Sequence, residues 1–460
     1  MRQGLGGTAR SAREFVDRLA RQSPARLALG VFGSVIAVVT ALLSTPFATS
    51  SGARAPFVDA LFTATSAVCV TGLVTVPTGS YWSPSGLVVI LVAIKIGGLG
   101  VMTLASLLGL AVSRRIGLTQ RLLVSSETKM TRLGEVGSLL RVVIVTSTLF
   151  EVAIALVLVP RFHALGEEWG EATWHGVFYA ISAFNNAGFI PTTEGLAPYG
   201  SDWWILLPII IGVFVGSLGF PVILDVIRRA RVPRRWNLHS KLTLATSGSL
   251  VVLGTVGVGA LEWANPKTFA PLDWAGTILA SLFAGVMPRS GGFATVDVDQ
   301  MHQSTWLLTD ALMFVGGGSA STAGGIKVTT LAVMLLAILA EARGDKDVEA
   351  FGRRIPREAM QVAIAVSLVS ATIILVASLV LLTVTDWTLD VVLFEVISAF
   401  ATCGLSAGVT ADPTLPDVAK YVLALTMFIG RTGTMTFAAA LALRSRRRVI
   451  RLPEERPIIG

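Results

Sequence analysis

The sequence predicts an all-α polytopic membrane protein built from four helix–pore helix–helix repeats, with eight transmembrane helices around a pseudo-fourfold central pore. Three observations predict it: long apolar runs, basic residues gathered on one side of those runs, and four short segments in register that each end in glycine. Residues of the AVILMFWYC set make up 53% of the 460-residue chain, and charged residues only 14%, against roughly 25% in soluble domains. That balance excludes a disordered chain and disfavours a cytosolic globule. The formal net charge of +8 raises nucleic acid or a membrane surface as partners, and the placement of the basic residues decides between them.

Apolar runs occupy 27–53, 86–112, 142–160, 203–224, 242–261, 306–339, 362–384 and 421–443, each close to the roughly 20 residues that cross a bilayer. The first run is longer than the core of a secretory signal, so it is expected to be an uncleaved helix. Of the 37 Lys and Arg, 29 fall in the two tails and in the even-to-odd connections. Outside the runs, the remaining connections carry only Arg54, Arg161, Lys267, Arg289 and Lys420. The positive-inside rule therefore expects both termini in the cytoplasm of a multi-pass plasma-membrane protein. It also removes the main support for nucleic-acid binding. The expected units are a tail over 1–26, repeats over 27–115, 137–230, 240–342 and 358–445, and a second tail over 446–460. Cys69 and Cys403 are the only cysteines; they suit small packing positions and make no disulfide framework.

The opposite-side connections contain the segments 62–72, 178–188, 282–292 and 394–404, ending in Gly72, Gly188, Gly292 and Gly404. Those glycines are spaced by 116, 104 and 112 residues, and Ser-Ala stands six and five positions upstream in three copies. A stretch of about ten residues is too short to span, so each must enter and leave on one side. Non-helical backbone at that depth is tolerated only inside protein or beside a watery cavity. A short helix entering from outside points the partial negative charge of its C-terminus inward, which favours a cation. The following turn then offers backbone carbonyls in place of the ion's hydration shell. One such segment alone is usually just a turn; four in register are hard to explain that way. The candidate filter positions are Val70, Thr71, Gly72, Asn186, Ala187, Gly188, Ser290, Gly291, Gly292, Thr402, Cys403 and Gly404.

The sixth run is interrupted by Gly316, Gly317, Gly318, Ser319, Ala320, Ser321, Thr322, Ala323, Gly324 and Gly325, making it the one strongly broken helix expected. Five glycines each cost a helix roughly 1 kcal/mol relative to Ala. A mid-membrane loop facing the cavity is expected, with close helix packing through small residues as the alternative. Arg431 lies too deep to snorkel and is expected to face protein or the pore, with a carboxylate or the loop carbonyls as partner. Lys95 and Glu151, mid-run, are expected to pair with each other, unless Glu151 takes Arg431 instead. Arg289 is expected to brace the third segment rather than touch an ion. Asp59, Asp273 and Asp390 are expected as N-caps. Asn185 and Asn186 either bond the filter backbone or serve packing alone.

The segments around Gly72, Gly188, Gly292 and Gly404, with the stretches 96–100, 316–327 and 430–433, make the chain resemble the Trk/Ktr/HKT superfamily of potassium transporters. The likeness covers about residues 27–445 and is strongest to the Ktr-type membrane subunit. It implies a potassium-selective four-repeat pore, with K+ at the filter carbonyls and uptake dependent on or stimulated by sodium. It also implies an intramembrane gate formed by 316–325 with Lys327 at its cytoplasmic end. The implied partners are a second copy of the chain and a cytosolic ring of RCK-type nucleotide-binding regulatory subunits; nucleotide enters only through that ring, and no covalent cofactor is implied. In the plant branch, serine at the first filter position accompanies sodium preference, whereas all four positions here are glycine. Trk-type relatives usually carry two additional N-terminal helices, which the basic segment 1–26 does not resemble. Lys95 departs from the neutral residue expected before Ile96. A Trk-type potassium/proton or sodium-permeable transporter is the neighbouring alternative.

Other classes fit less well. An intramembrane enzyme needs paired acids or a nucleophile with a base, yet the four histidines lie outside the apolar runs and no HExxH motif occurs. A substrate-coupled secondary transporter favours inverted repeats with matching broken helices, whereas these repeats are parallel.

Overall fold

A computed structural model describes residues 24–115 and 134–443. The tails over 1–23 and 444–460 and the basic connection 116–133 lie outside the described residues. The elements in order are α1 (Pro24–Leu43), α2 (Phe57–Cys69), the one-turn α3 (Thr78–Tyr81), α4 (Pro84–Arg115), α5 (Gly134–Ala164), α6 (Trp169–Phe184), α7 (Trp203–Leu218), α8 (Phe220–Arg228), α9 (Leu238–Glu262), α10 (Trp274–Val286), α11 (Gln303–Phe314), α12 (Val328–Arg343), β1 (Val348–Ala350), β2 (Arg353–Ile355), α13 (Arg357–Val384), α14 (Leu389–Ala401) and α15 (Asp417–Leu443). Among the described residues the regular structure is thus helical except for one antiparallel hairpin, β1–β2, which the all-α expectation did not include.

Among the described residues, three helical stretches qualify as spans by length and composition: 24 residues over Arg141–Ala164, 25 over Leu238–Glu262 and 28 over Arg357–Val384. At 1.5 Å per residue, each exceeds the roughly 30 Å hydrocarbon core. The pair α7 and α8, bent by 100°, passes the same test together and makes a fourth if counted as one span. The first apolar run proves only partly helical, because α1 ends at Leu43 and Pro46 opens a separate 3-10 turn. Proline lacks the donor that would continue the ladder.

The expectation of one broken helix needs correction. The fourth run is broken too, at Gly219, whose φ is +92° and which precedes Phe220 and Pro221. The Phe220 amide, freed from the α7 ladder, donates to the Ala320 carbonyl at 3.1 Å, so the bend and the glycine-rich loop satisfy each other.

The C-terminal halves of the four short helices α2, α6, α10 and α14 are largely buried, whereas Trp169 and Trp274 at the starts of α6 and α10 are exposed. Two apolar clusters surround them. One joins α1, α2 and α4 to α14 and α15; the other joins α5, α6 and α7 to α10 and the turn at Phe293.

Candidate pore and intramembrane loop

At the end of each short helix the backbone makes the same excursion. Val70, Asn186, Ser290 and Thr402 are left-handed, with φ of 57°, 58°, 69° and 46°. Two residues later, Gly72, Gly188, Gly292 and Gly404 return to positive φ, at 96°, 68°, 72° and 95°. The residue between them stays at negative φ in every copy. Alternating handedness turns successive carbonyls toward one side, where a regular strand would alternate them. Left-handed backbone is costly for Val and Thr, so four recurrences mark a conformation that the surrounding structure imposes.

The four excursions meet. A methyl added to Gly72 would stand 2.5 Å from the Ala187 carbonyl oxygen, and one on Gly188 would stand 3.0 Å from the Gly292 Cα. One on Gly292 would strike the Cys403 carbonyl, and one on Gly404 the Thr71 carbonyl. The order 72, 188, 292, 404 and back to 72 closes a ring of backbone. Glycine is needed here for both reasons at once: positive φ and the approach of the next segment.

Side chains hold the ring from behind. Ser66 Oγ accepts the Gly72 amide at 3.0 Å, and Ser398 Oγ accepts the Gly404 amide at 3.1 Å. Ser182, at the matching position, instead donates to the Phe189 carbonyl at 2.9 Å. The repeated Ser-Ala carried this signal in the sequence, but the role of its hydroxyl was not recognised from it. Ser290 Oγ donates to the Thr402 carbonyl at 2.6 Å and accepts the Gly324 amide at 3.3 Å, tying the third segment to the fourth and to the loop. Asn186 Nδ2 donates to Val213 and Arg289 carbonyls at 3.2 and 3.3 Å. Asn185 instead donates to Glu151 at 2.8 Å. Asn185 also donates to the Ile181 carbonyl of its own helix at 2.8 Å, so of the two asparagines only Asn186 reaches the backbone of a neighbouring segment, at Arg289.

The loop 316–325 lies against the base of this ring and is buried except at Ser319, which is partly exposed. Its amides and carbonyls are paired with the broken helices. Gly318 donates to Ser217 at 2.7 Å, Gly316 to Ile326 at 3.0 Å, and Val328 to Gly317 at 3.0 Å. Thr322 Oγ1 reaches Asn186 Oδ1 at 2.8 Å. Two cations sit on loop carbonyls. Lys327 Nζ donates to Ala323 at 2.8 Å and to Gly324 at 3.4 Å, and Arg431 donates to the Thr322 carbonyl. Carbonyl partners offset part of the cost of burying these charges.

Lys95 and Glu151 pair with each other at 2.6 Å, which decides between the two arrangements left open for Glu151. Arg289, only 1% exposed, donates to Ser247 Oγ at 3.2 Å and to the Gly316 carbonyl at 3.1 Å. It braces the third segment against the loop. Of the three expected caps only Asp273 is one, accepting the Gly276 amide at 2.8 Å. Asp59 is a residue of the first turn and binds Lys420 and Thr75, both at 2.8 Å. Asp390, also inside the first turn, accepts from Gln303 at 2.8 Å. Long side chains from other elements reach both carboxylates, which a cap pattern read along one helix does not register. Cys69 and Cys403 are buried and unpaired.

Comparison with known proteins agrees with this architecture. Residues 31–448 match the family model TrkH, described as cation transport protein. The chain is 36% identical to Ktr system potassium uptake protein D of Bacillus subtilis, over 95% of this chain and 97% of the relative. It is 34% identical to the potassium/sodium uptake protein NtpJ of Enterococcus hirae, over 96% and 98%. The crystal structure of the potassium transporter TrkH from Vibrio parahaemolyticus superposes with a TM-score of 0.72 at 17% identity, covering 91% of this chain and 84% of that one. Helices that qualify as spans, a fold shared with a solved transporter and a family match across nearly the whole length identify the chain as an integral-membrane member of the TrkH family of cation transport proteins, a transporter and not an enzyme.

Proposed function

We propose that the chain is the membrane subunit of a potassium uptake system, passing K+ through the ring formed by residues 70–72, 186–188, 290–292 and 402–404. The observation that carries the reading is the closed cyclic approach of Gly72, Gly188, Gly292 and Gly404. Four copies of one alternating backbone around an axis supply the ring of carbonyls with which a protein replaces the water around a dehydrated cation. The inward C-terminal ends of α2, α6, α10 and α14 add partial negative charge. Each repeat contributes two spanning helices, making eight, with α7–α8 and α11–α12 as broken members and both termini cytoplasmic.

The loop 316–325 is the gate in this reading. Its position against Thr402 and Ser290, and its attachment to Arg431 and Lys327, would let a small displacement of α12 or α15 move it. The likeness to the potassium/sodium uptake protein NtpJ supports uptake that is dependent on or stimulated by sodium. The likeness to the Ktr system protein of B. subtilis supports a partner subunit. The specific assembly proposed is a homodimer on a cytosolic RCK-type ring that senses nucleotide. Glycine at all four ring positions favours potassium over the sodium-permeable alternative.

Uptake by purified protein in liposomes, with potassium, sodium and membrane potential varied independently, tests the reading. Potassium flux that responds to voltage and exceeds sodium flux is expected. Equal flux of both ions, or none with the regulatory subunit present, would overturn it. Co-purification with a cytosolic nucleotide-binding subunit tests the partner separately.

A further inference from the structure

The residue nine positions before each ring glycine lies behind that segment of the ring. In chain order these are Thr63, Tyr179, Phe283 and Glu395, all at most 1% exposed. Three are neutral and the fourth is a carboxylate. Glu395 is fully buried, yet among the described residues no Lys or Arg pairs with it. Instead it meets the strand that leaves Gly404. Ser406 Oγ donates to Oε1 at 2.9 Å and to Oε2 at 3.1 Å, and the Ala407 amide donates to Oε2 at 3.2 Å. Ser406 Oγ in turn accepts the Gly408 amide at 3.0 Å and the Thr410 hydroxyl at 3.2 Å.

The Ala407 amide can only donate, and the Ser406 hydroxyl accepts from Gly408 and Thr410 and so turns its own proton to the carboxyl; hydrogen-bond donors thus hold Glu395 where a cation would otherwise pair with it. A buried anion without a cation partner is expensive, and in membrane proteins such residues mark ion pathways. Ser406, which carries the charge-assisted bond, is partly exposed and stands two residues beyond Gly404 on the outer side of the ring. The geometry points to Glu395 as an affinity-determining positioning residue whose missing counter-charge is the cation at the outer end of the ring, acting through Ser406. Tyr179 gives the neutral version of the same brace, its hydroxyl meeting Thr192 Oγ1 at 2.9 Å. Bracing alone therefore needs no charge.

This inference rests on the potassium-uptake reading, and the test separates the two. The full chain is reconstituted in phosphatidylethanolamine–phosphatidylglycerol liposomes, and initial K+ uptake is measured against external K+ for wild type, Glu395→Gln and Glu395→Asp. A unit charge near an ion site in a medium of intermediate dielectric supports an expected rise of about tenfold in half-saturating K+ for the Gln variant. Its maximal rate should stay within about twofold, and the Asp variant, which keeps the charge, within about threefold of wild type in half-saturation. A fall in maximal rate with half-saturation unchanged in either variant would overturn the inference and leave Glu395 as a strand anchor. If the Gln protein fails to fold, Glu395→Met, which likewise removes the charge, is read by the same split. Absence of K+ uptake by wild type with the regulatory subunit present would instead overturn the function reading itself.

Discussion

Lys95 and Glu151, 56 residues apart in sequence, are joined at 2.6 Å, and the same carboxylate holds Asn185 at 2.8 Å, next to the left-handed Asn186 of the ring. The pair therefore links two long helices to the second short helix at its inner end. Glu151 is the charge partner of Lys95 in this arrangement.

Truncating Glu151 to Ala should destabilise the protein by about 2–3 kcal/mol, below the full cost of breaking a buried pair because Lys95 retains 24% side-chain exposure. The combined Lys95→Met and Glu151→Met protein should recover most of that loss. Thermal unfolding in detergent measures both. A Glu151→Gln protein with intact stability and altered ion affinity alone would contradict the assignment.

Gly72→Ser should weaken discrimination against sodium by about tenfold, since a Cβ there meets the Ala187 carbonyl at 2.5 Å and must displace a ring segment. Potassium-uptake complementation at rising sodium, followed by competition flux, provides the measurement. Unchanged selectivity would count heavily against Gly72 as a ring ligand.

Ser398→Ala should leave the Gly404 amide without its acceptor, at a cost of about 1–3 kcal/mol if the site stays dry. Ser66→Ala should act in the same way on Gly72. The expected readout is lower selectivity together with a lower melting temperature. In the third repeat the equivalent position is Val286, so no comparable hydroxyl is available there to remove.

Shortening the loop within 316–325 should raise potassium flux severalfold, because it removes backbone that Arg431 and Lys327 hold against the ring. Stopped-flow uptake in liposomes gives the rate. An unaltered or lower rate in correctly folded protein would favour the packing alternative.

Gly219→Ala should displace the loop as well, since φ of +92° is strained for alanine and its Cβ would strike the Ser319 carbonyl. Destabilisation of about 1–3 kcal/mol with altered flux is expected. No change in either would show that the bend does not carry the loop.

Much of the architecture was legible in the sequence because membrane burial imposes one-dimensional rules: run length, side-specific charge and glycine where backbones crowd. The in-register glycines announced a backbone motif, and the loop announced itself by five glycines in ten residues. The bend at Gly219 was missed because one glycine in an apolar run is common in membrane helices, even though Pro221 follows closely. The cap assignments of Asp59 and Asp390 failed because partners such as Lys420 and Gln303 lie far away in sequence.

The sequence by itself determined the membrane class, the positions of the four short segments and the glycine-rich loop, because hydrophobicity and φ preference are properties of single residues. The tertiary structure decided that Lys95 takes Glu151, that Arg431 takes the Thr322 carbonyl, and that Glu395 lies buried among donors without a cation. Pairings of buried charges depend on which helices meet and at what depth. Because several partners satisfy the same charge rule, only three-dimensional packing selects among them.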